Sequence, residues 1–218
     1  MDRGYIDLNK KSFIHNLEVL KNLSRKELCL VVKANAYGHG LEWAVKNANA
    51  SGIKWFAVAS VDEGMQVKKV YKESRVLLLA EPSKIQLENI KENDIDLTVY
   101  NESFIDTLIE TGDEYSVHLK IDTGMHRLGC PPEKFYDLYK KIVDSDLNLI
   151  GICTHFPMAD TDETETKKSI ELFEKTISDI DSTNMLLHVD NSASTLYKLD
   201  NSFNMARVGI AAYGVQIT

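Results

Sequence analysis

The sequence predicts an α/β fold, a (β/α)8 barrel of the TIM type. Three observations point there. Eight short apolar runs have strand character, amphipathic helix-length segments alternate with them, and no linker-like stretch divides the 218 residues. An open doubly wound sheet is the competing arrangement, and it normally carries a Gly-rich turn after its first strand. The corresponding turn here, "KANAYGHG" (33–40), lacks the G-x-G-x-x-G spacing.

Taken in order, "GYIDL" near the start reads as a strand the barrel does not need, so residues 1–9 are expected to pair with a domain outside this sequence, while 10–218 form the barrel. A helix at 10–23 precedes strand 28–34, which ends on Lys33. Strands follow at 55–60, 76–80, 95–100, 115–122, 149–155, 186–191 and 204–209. Helices are expected at 40–51, 61–72, 83–93, 101–112, 131–145, 162–181 and 193–200. Pro82, Pro131 and Pro132 stand where helices begin, and Asp62, Ser83 and Asn101 suit N-caps.

Composition narrows the function classes. A hydrophobic content of 44% with 27% charged residues suits a globular core and argues against disorder. A net charge of -8 argues against a nucleic-acid surface, which needs clustered Lys and Arg. Apolar runs such as Val76 to Ala80 are too short to span a bilayer, and no signal-peptide core follows Met1, so a cytoplasmic location is expected. Cys29, Cys130 and Cys153 have neither metal-type spacing nor an even count, and read as reduced thiols in or near the core.

Alternate residues of a barrel strand face the lumen. In "SVHLKID", Val117, Leu119 and Ile121 fall on one side and His118, Lys120 and Asp122 on the other, which should be the lumen. Gly151, Cys153 and His155 share a face of the next strand, His188 lies on its neighbour, and Arg207 is on the last. Barrel enzymes carry their chemistry at the C-terminal strand ends, where Lys33, Asp122, His155, Asn191 and Arg207 all lie. His118 and His188 read instead as hydrogen-bonded core residues. Asp160, Asp162, Glu163 and Glu165 read as capping acids at a helix start, not metal ligands, and His39 as a loop residue. No metal site is expected.

A lysine at the end of a buried strand is costly unless it is paired, neutral or modified. Near other cations its amine is more readily neutral and can form a Schiff base with a carbonyl, and pyridoxal 5'-phosphate is the common biological aldehyde held this way. Its phosphate would need small residues and backbone N–H groups after strands seven and eight, where "DNSAS" and "RVGIAAYG" stand.

With those stretches the sequence resembles the N-terminal barrel of the alanine racemases, fold-type III pyridoxal-phosphate enzymes, over essentially its whole length. "VVKANAYGHG", "KIDTGMHRLG", "THFPMAD", "HVDNSAS" and "RVGIAAYG" carry the resemblance, in order. It implies that Lys33 is the Schiff-base lysine and the base serving the D-enantiomer. It further implies that Tyr37, Ser192 and the backbone at Gly209 and Ile210 hold the phosphate beside Asn191. His155 would lie against the pyridine ring with His188 behind it, and Arg127 would hydrogen-bond the phenolic oxygen.

Arg207 would face the pyridine nitrogen. A guanidinium is effectively never deprotonated, so it donates to an unprotonated nitrogen and leaves the ring a weaker electron sink, which favours returning the proton to Cα. Lys120 matches a lysine that relatives can carry carbamylated, an anion able to hold Arg127; an unmodified Lys120 paired with Asp122 is the alternative.

The implied activity is pyridoxal-phosphate-dependent interconversion of L- and D-alanine for cell-wall precursor supply. Serine racemisation, a non-enzymatic pyridoxal-phosphate carrier and a related barrel decarboxylase are the other readings. Racemisation needs a proton donor on each face of the carbanion. In the family the second is a tyrosine from a C-terminal β-domain of the partner subunit, and that domain is absent from this sequence. The chain is then either an excised barrel or a natural single-domain protein; "GYIDL" favours excision, and the expectation is a barrel that binds cofactor yet racemises poorly or not at all alone, from a homodimeric parent that could carry an upstream membrane domain.

Overall fold

The computed structural model describes residues 5–199 and 201–216. Eight parallel strands close into one barrel in chain order: β1 (Glu27–Val31), β2 (Trp55–Val58), β3 (Arg75–Leu78), β4 (Ile95–Val99), β5 (Ser116–Lys120), β6 (Asn148–Cys153), β7 (Leu186–Asp190) and β8 (Met205–Val208). The barrel closes where β1 pairs with β8, Cys29 opposite Arg207. Residues 5–9 join no strand, and Gly4 lies outside the described residues. A lone extended segment has no ladder to donate to, and Tyr5 and Ile6 are exposed.

Helix α1 (Lys10–Ser24) starts at Asn9, whose side chain accepts from the Ser12 N–H, and it buries Phe13, Leu17 and Leu20. The short α2 (Lys33–Tyr37) follows β1, then α3 (Leu41–Ala50), α4 (Val61–Val70), α5 (Leu87–Glu92), α6 (Glu102–Glu110), α7 (Phe135–Val143), α8 (Glu163–Thr176) and α9 (Ser192–Leu196). Single 3₁₀ turns at Lys84–Gln86 and Pro132–Lys134 lead into α5 and α7, so the expected helices 83–93 and 131–145 are each split. Ser60, not Asp62, caps α4 by accepting from the Glu63 N–H. Asp62 sits in the first turn, where its charge suits the helix dipole.

Two apolar layers hold the fold. The outer layer lies between strands and helices and takes the odd residues of β5, Val117 and Leu119, with Phe56, Ile105 and Phe173. Burying each such side chain stabilises the fold by about 1.5–3 kcal/mol. The lumen holds a smaller plug of Cys29, Val31, Trp55, Ala57, Leu77 and Met205. Its remaining volume is polar, with Asp96, His118, His188 and Arg207 all buried. All three cysteines are buried and unpaired, and burial pushes the Cys29 and Cys130 thiols up to about 12. No helix among the described residues is long and apolar enough to cross a membrane.

Candidate active site

β1 is shorter than the pattern implied. It ends at Val31, and Lys33 opens α2, a turn wound in the unusual sense. Ala34, Asn35, Ala36 and Tyr37 have φ of 52, 53, 55 and 53°. Left-handed backbone costs roughly 1–2 kcal/mol per non-glycine residue, so this turn persists only because its surroundings hold it. The Glu63 carboxylate accepts from the Ala34 N–H (2.6 Å) and the Ala59 N–H (2.9 Å), tying the loop after β1 to the loop after β2. The Asn35 side chain accepts from the Leu41 N–H at 2.8 Å. His39 stacks on Tyr213, its Nδ1 3.0 Å from the Ala36 carbonyl, so it braces the loop as expected of a loop residue.

The turn delivers Lys33 and Tyr37 to a cavity of about 480 Å³ at the C-terminal end of the barrel. Its lining includes Lys33, Tyr37, Lys120, Arg127, His155, Asn191, Ser192, Arg207, Gly209 and Ile210, every candidate cofactor-binding, catalytic or modified residue. At one end, Ser192 Oγ accepts from the Gly209 N–H at 3.0 Å. Asn191 caps α9, accepting from the Ala193 and Ser194 N–H groups. Any side chain at Gly209 would meet the Tyr37 hydroxyl, since a Cβ there would lie 2.6 Å from it.

Arg207 crosses the floor of the cavity. Its Nη1 donates to His188 Nδ1 at 2.7 Å and to the His188 carbonyl, and its Nη2 donates to the Thr154 carbonyl at 2.6 Å. Burial, then Arg207, Lys120, Arg127 and Lys33, push the His155 imidazole down to about 3, so it is neutral at pH 7. Burial also lowers the Lys120 ammonium below its ordinary value, and Arg207 and Arg127 act the same way against Cys153 and Asp122.

Asp122 departs from the expected lumen set. β5 ends at Lys120, so strand alternation no longer governs residue 122. The Asp122 carboxylate turns to accept from the Gly124 and His126 N–H groups, both at 3.0 Å, and lies 3.4 Å from His126. Burial would raise its pKa, yet those N–H groups and His126 hold it below the usual carboxylate value. Among the described residues no ion pair joins it to Lys120. Asp162 caps α8 by accepting from the Glu165 N–H, while Asp160, read as a capping acid, lines the cavity. Asp96 and Thr98 escaped the sequence reading although "IDLTV" alternates them with apolar residues. Both are buried on the lumen side of β4.

The chain matches the family described as "Alanine racemase, N-terminal domain" over residues 8–217. It is 36% identical to an alanine racemase of Treponema denticola, over 90% of this chain and 55% of that protein. An alanine racemase of Treponema pallidum is 32% identical over 92% of this chain and 57% of its own length. Among solved structures, alanine racemase of Clostridium difficile 630 superposes with a TM-score of 0.89 at 29% identity, over 95% of this chain and 57% of that one. That of E. faecalis gives 0.89 at 28%, over 96% and 59%. The chain thus spans a little over half the length of the relatives it matches. Barrel, cavity and family match agree on one assignment: this chain belongs to the alanine racemase family, as its N-terminal barrel domain.

Proposed function

We propose that this barrel binds pyridoxal 5'-phosphate and serves the racemisation of a small amino acid, alanine above all. The observation that carries the reading is the convergence of ten residues, drawn from five different strands or the loops after them, on one cavity of about 480 Å³. That volume lies within the range of cofactor sites.

The donor set fits the cofactor. The bare Cα of Gly209, the Tyr37 and Ser192 hydroxyls and the backbone at Ile210 offer an anion-sized cradle at one end. Arg207, on the cavity floor, carries a guanidinium that can only donate, suited to an unprotonated ring nitrogen. When bound, the cofactor supplies electron withdrawal that acidifies the substrate Cα–H.

The chain's own residues do the rest. Lys33 Nζ would hold the cofactor covalently and, once displaced by substrate, carry a proton to and from one face of Cα. His155, kept neutral by the cations around it, would pack against the ring without adding charge. Arg127 would bind the phenolic oxygen. Lys120, with its amine shifted toward the neutral form, is suited to take up carbon dioxide as a carbamate and so orient Arg127 as an anion. The acid for the opposite face of Cα is, in this reading, a tyrosine of a second domain from a partner subunit.

Pyridoxal 5'-phosphate titrated into the parent chain and a Lys33→Ala variant tests this by the visible absorbance of lysine-bound cofactor. The band is expected in the parent alone. Its absence from the parent, or its persistence in Lys33→Ala, would overturn the assignment.

A further inference from the structure

From Arg207 on the cavity floor, a line of four polar side chains runs down the lumen away from Lys33. Arg207 Nη1 meets His188 Nδ1 at 2.7 Å, His188 Nε2 meets His118 Nδ1 at 2.9 Å, and His118 Nε2 meets Asp96 Oδ2 at 3.4 Å. All four residues are buried. The far end is fixed in turn, because Arg75 Nη2 donates to the same Asp96 oxygen at 2.7 Å while its guanidinium lies 4.7 Å over the Trp55 ring.

The backbone makes room for this line. The β5–β6 register shifts between Val117 and His118, and the β7–β8 register shifts between His188 and Asp190. Residue 151 on the strand between the histidines is glycine, and a Cβ there would lie 2.7 Å from His118 Nδ1.

Hydrogen-bond polarity along the line has one solution with neutral rings. Arg207 can only donate, so His188 Nδ1 must accept and its proton sits on Nε2. That proton is donated to His118 Nδ1, which puts the His118 proton on Nε2. The last donor then needs an acceptor, and an ionised carboxylate can do nothing else.

We propose that Asp96 is a positioning residue: by accepting the last proton of the line it anchors the His118 and His188 rings, and through them the orientation in which Arg207 meets the bound cofactor. The inference rests on the reading of Arg207 given above. The carboxylate lies at the N-terminal side of the lumen, touches nothing that reacts, and acts through two imidazoles. With Nη1 and Nη2 both tied to the barrel, Nε–H is the guanidinium donor without a hydrogen-bond partner among the described residues, free to meet the ring nitrogen.

The test is long-range ¹H–¹⁵N NMR on histidine-labelled chain, without cofactor, at neutral pH. Protonated and bare ring nitrogens resonate far apart, so each tautomer is read directly. His118 and His188 are both expected as the Nε2–H form. Asp96→Asn, whose amide oxygen still accepts, should keep that pattern. Asp96→Leu leaves the His118 Nε2–H buried without its acceptor, so the pattern should be lost at His118 and the His188 signals should shift, while Arg207 keeps the His188 proton on Nε2.

An Nδ1–H tautomer or an imidazolium at either ring in the parent would overturn the proposal, as would His118 and His188 signals in Asp96→Leu that match the parent's. If Asp96→Leu does not fold, the parent spectrum still decides. Adding pyridoxal 5'-phosphate to the same samples separates the two readings. A parent with the expected tautomers but no absorbance band sinks the cofactor assignment and leaves the polar line standing. With the band present, Asp96→Leu should show it shifted and Asp96→Asn should restore it.

Discussion

Glu63→Ala should loosen the turn that presents Lys33. Four consecutive left-handed residues, Ala34 to Tyr37, store about 4–8 kcal/mol at roughly 1–2 each. Against this stand the two Glu63 hydrogen bonds at 2.6 and 2.9 Å, the Asn35 bond to Leu41, and the backbone bonds of Gly38 and Gly40 to the turn's own carbonyls. A hydrogen bond to a charged group contributes about 1.5–3 kcal/mol, but this carboxylate is near solvent and water can replace part of it. A net loss of about 2 kcal/mol is expected for the pair.

Amide hydrogen exchange reads this locally. Ala34 and Ala59 N–H should exchange about 30-fold faster in Glu63→Ala, since roughly 1.4 kcal/mol is a factor of ten. Cofactor affinity, followed by the lysine-bound absorbance, should fall with it. Glu63→Gln, with one accepting oxygen, should lie between. Exchange at Ala34 and cofactor affinity both equal to the parent's would refute the claim that Glu63 holds the turn.

Gly209→Ala places a methyl 2.6 Å from the Tyr37 hydroxyl and should cost about 1–3 kcal/mol of packing, displace Tyr37 and weaken cofactor binding in the same titration. Lys120→Met should leave stability at neutral pH unchanged or higher. Its depressed native pKa means the unfolded chain binds more protons, so parent stability should rise with pH toward the ordinary lysine value, and Lys120→Met should flatten that rise in urea melts of bicarbonate-free protein. His155 follows the same sign in acid. Held down to about 3, it stays neutral while the unfolded ring protonates below its usual 6.5, so stability falls as pH drops through that window. Urea midpoints near pH 7 and pH 4 should show His155→Phe losing about 2–3 kcal/mol less than the parent.

Much of this was legible in the amino-acid order. Strand period, helix period and their alternation depend on local sequence, so all eight strands fall close to their expected places, and of the candidate residues at their ends Lys33, His155, Asn191 and Arg207 converge on one cavity. Only the tertiary structure could decide the rest. The winding of Ala34–Tyr37 runs against the propensity of Ala34, Ala36 and Tyr37 and is held by Glu63, from another helix. Asp122 left the lumen because its strand stopped two residues early and backbone N–H groups were nearer than Lys120. Asp96 went unread in "IDLTV". Its meaning came from barrel closure, which sets β4, β5, β7 and β8 side by side around one lumen and so lines up a carboxylate, two imidazoles and a guanidinium that lie up to 111 residues apart, from 96 to 207.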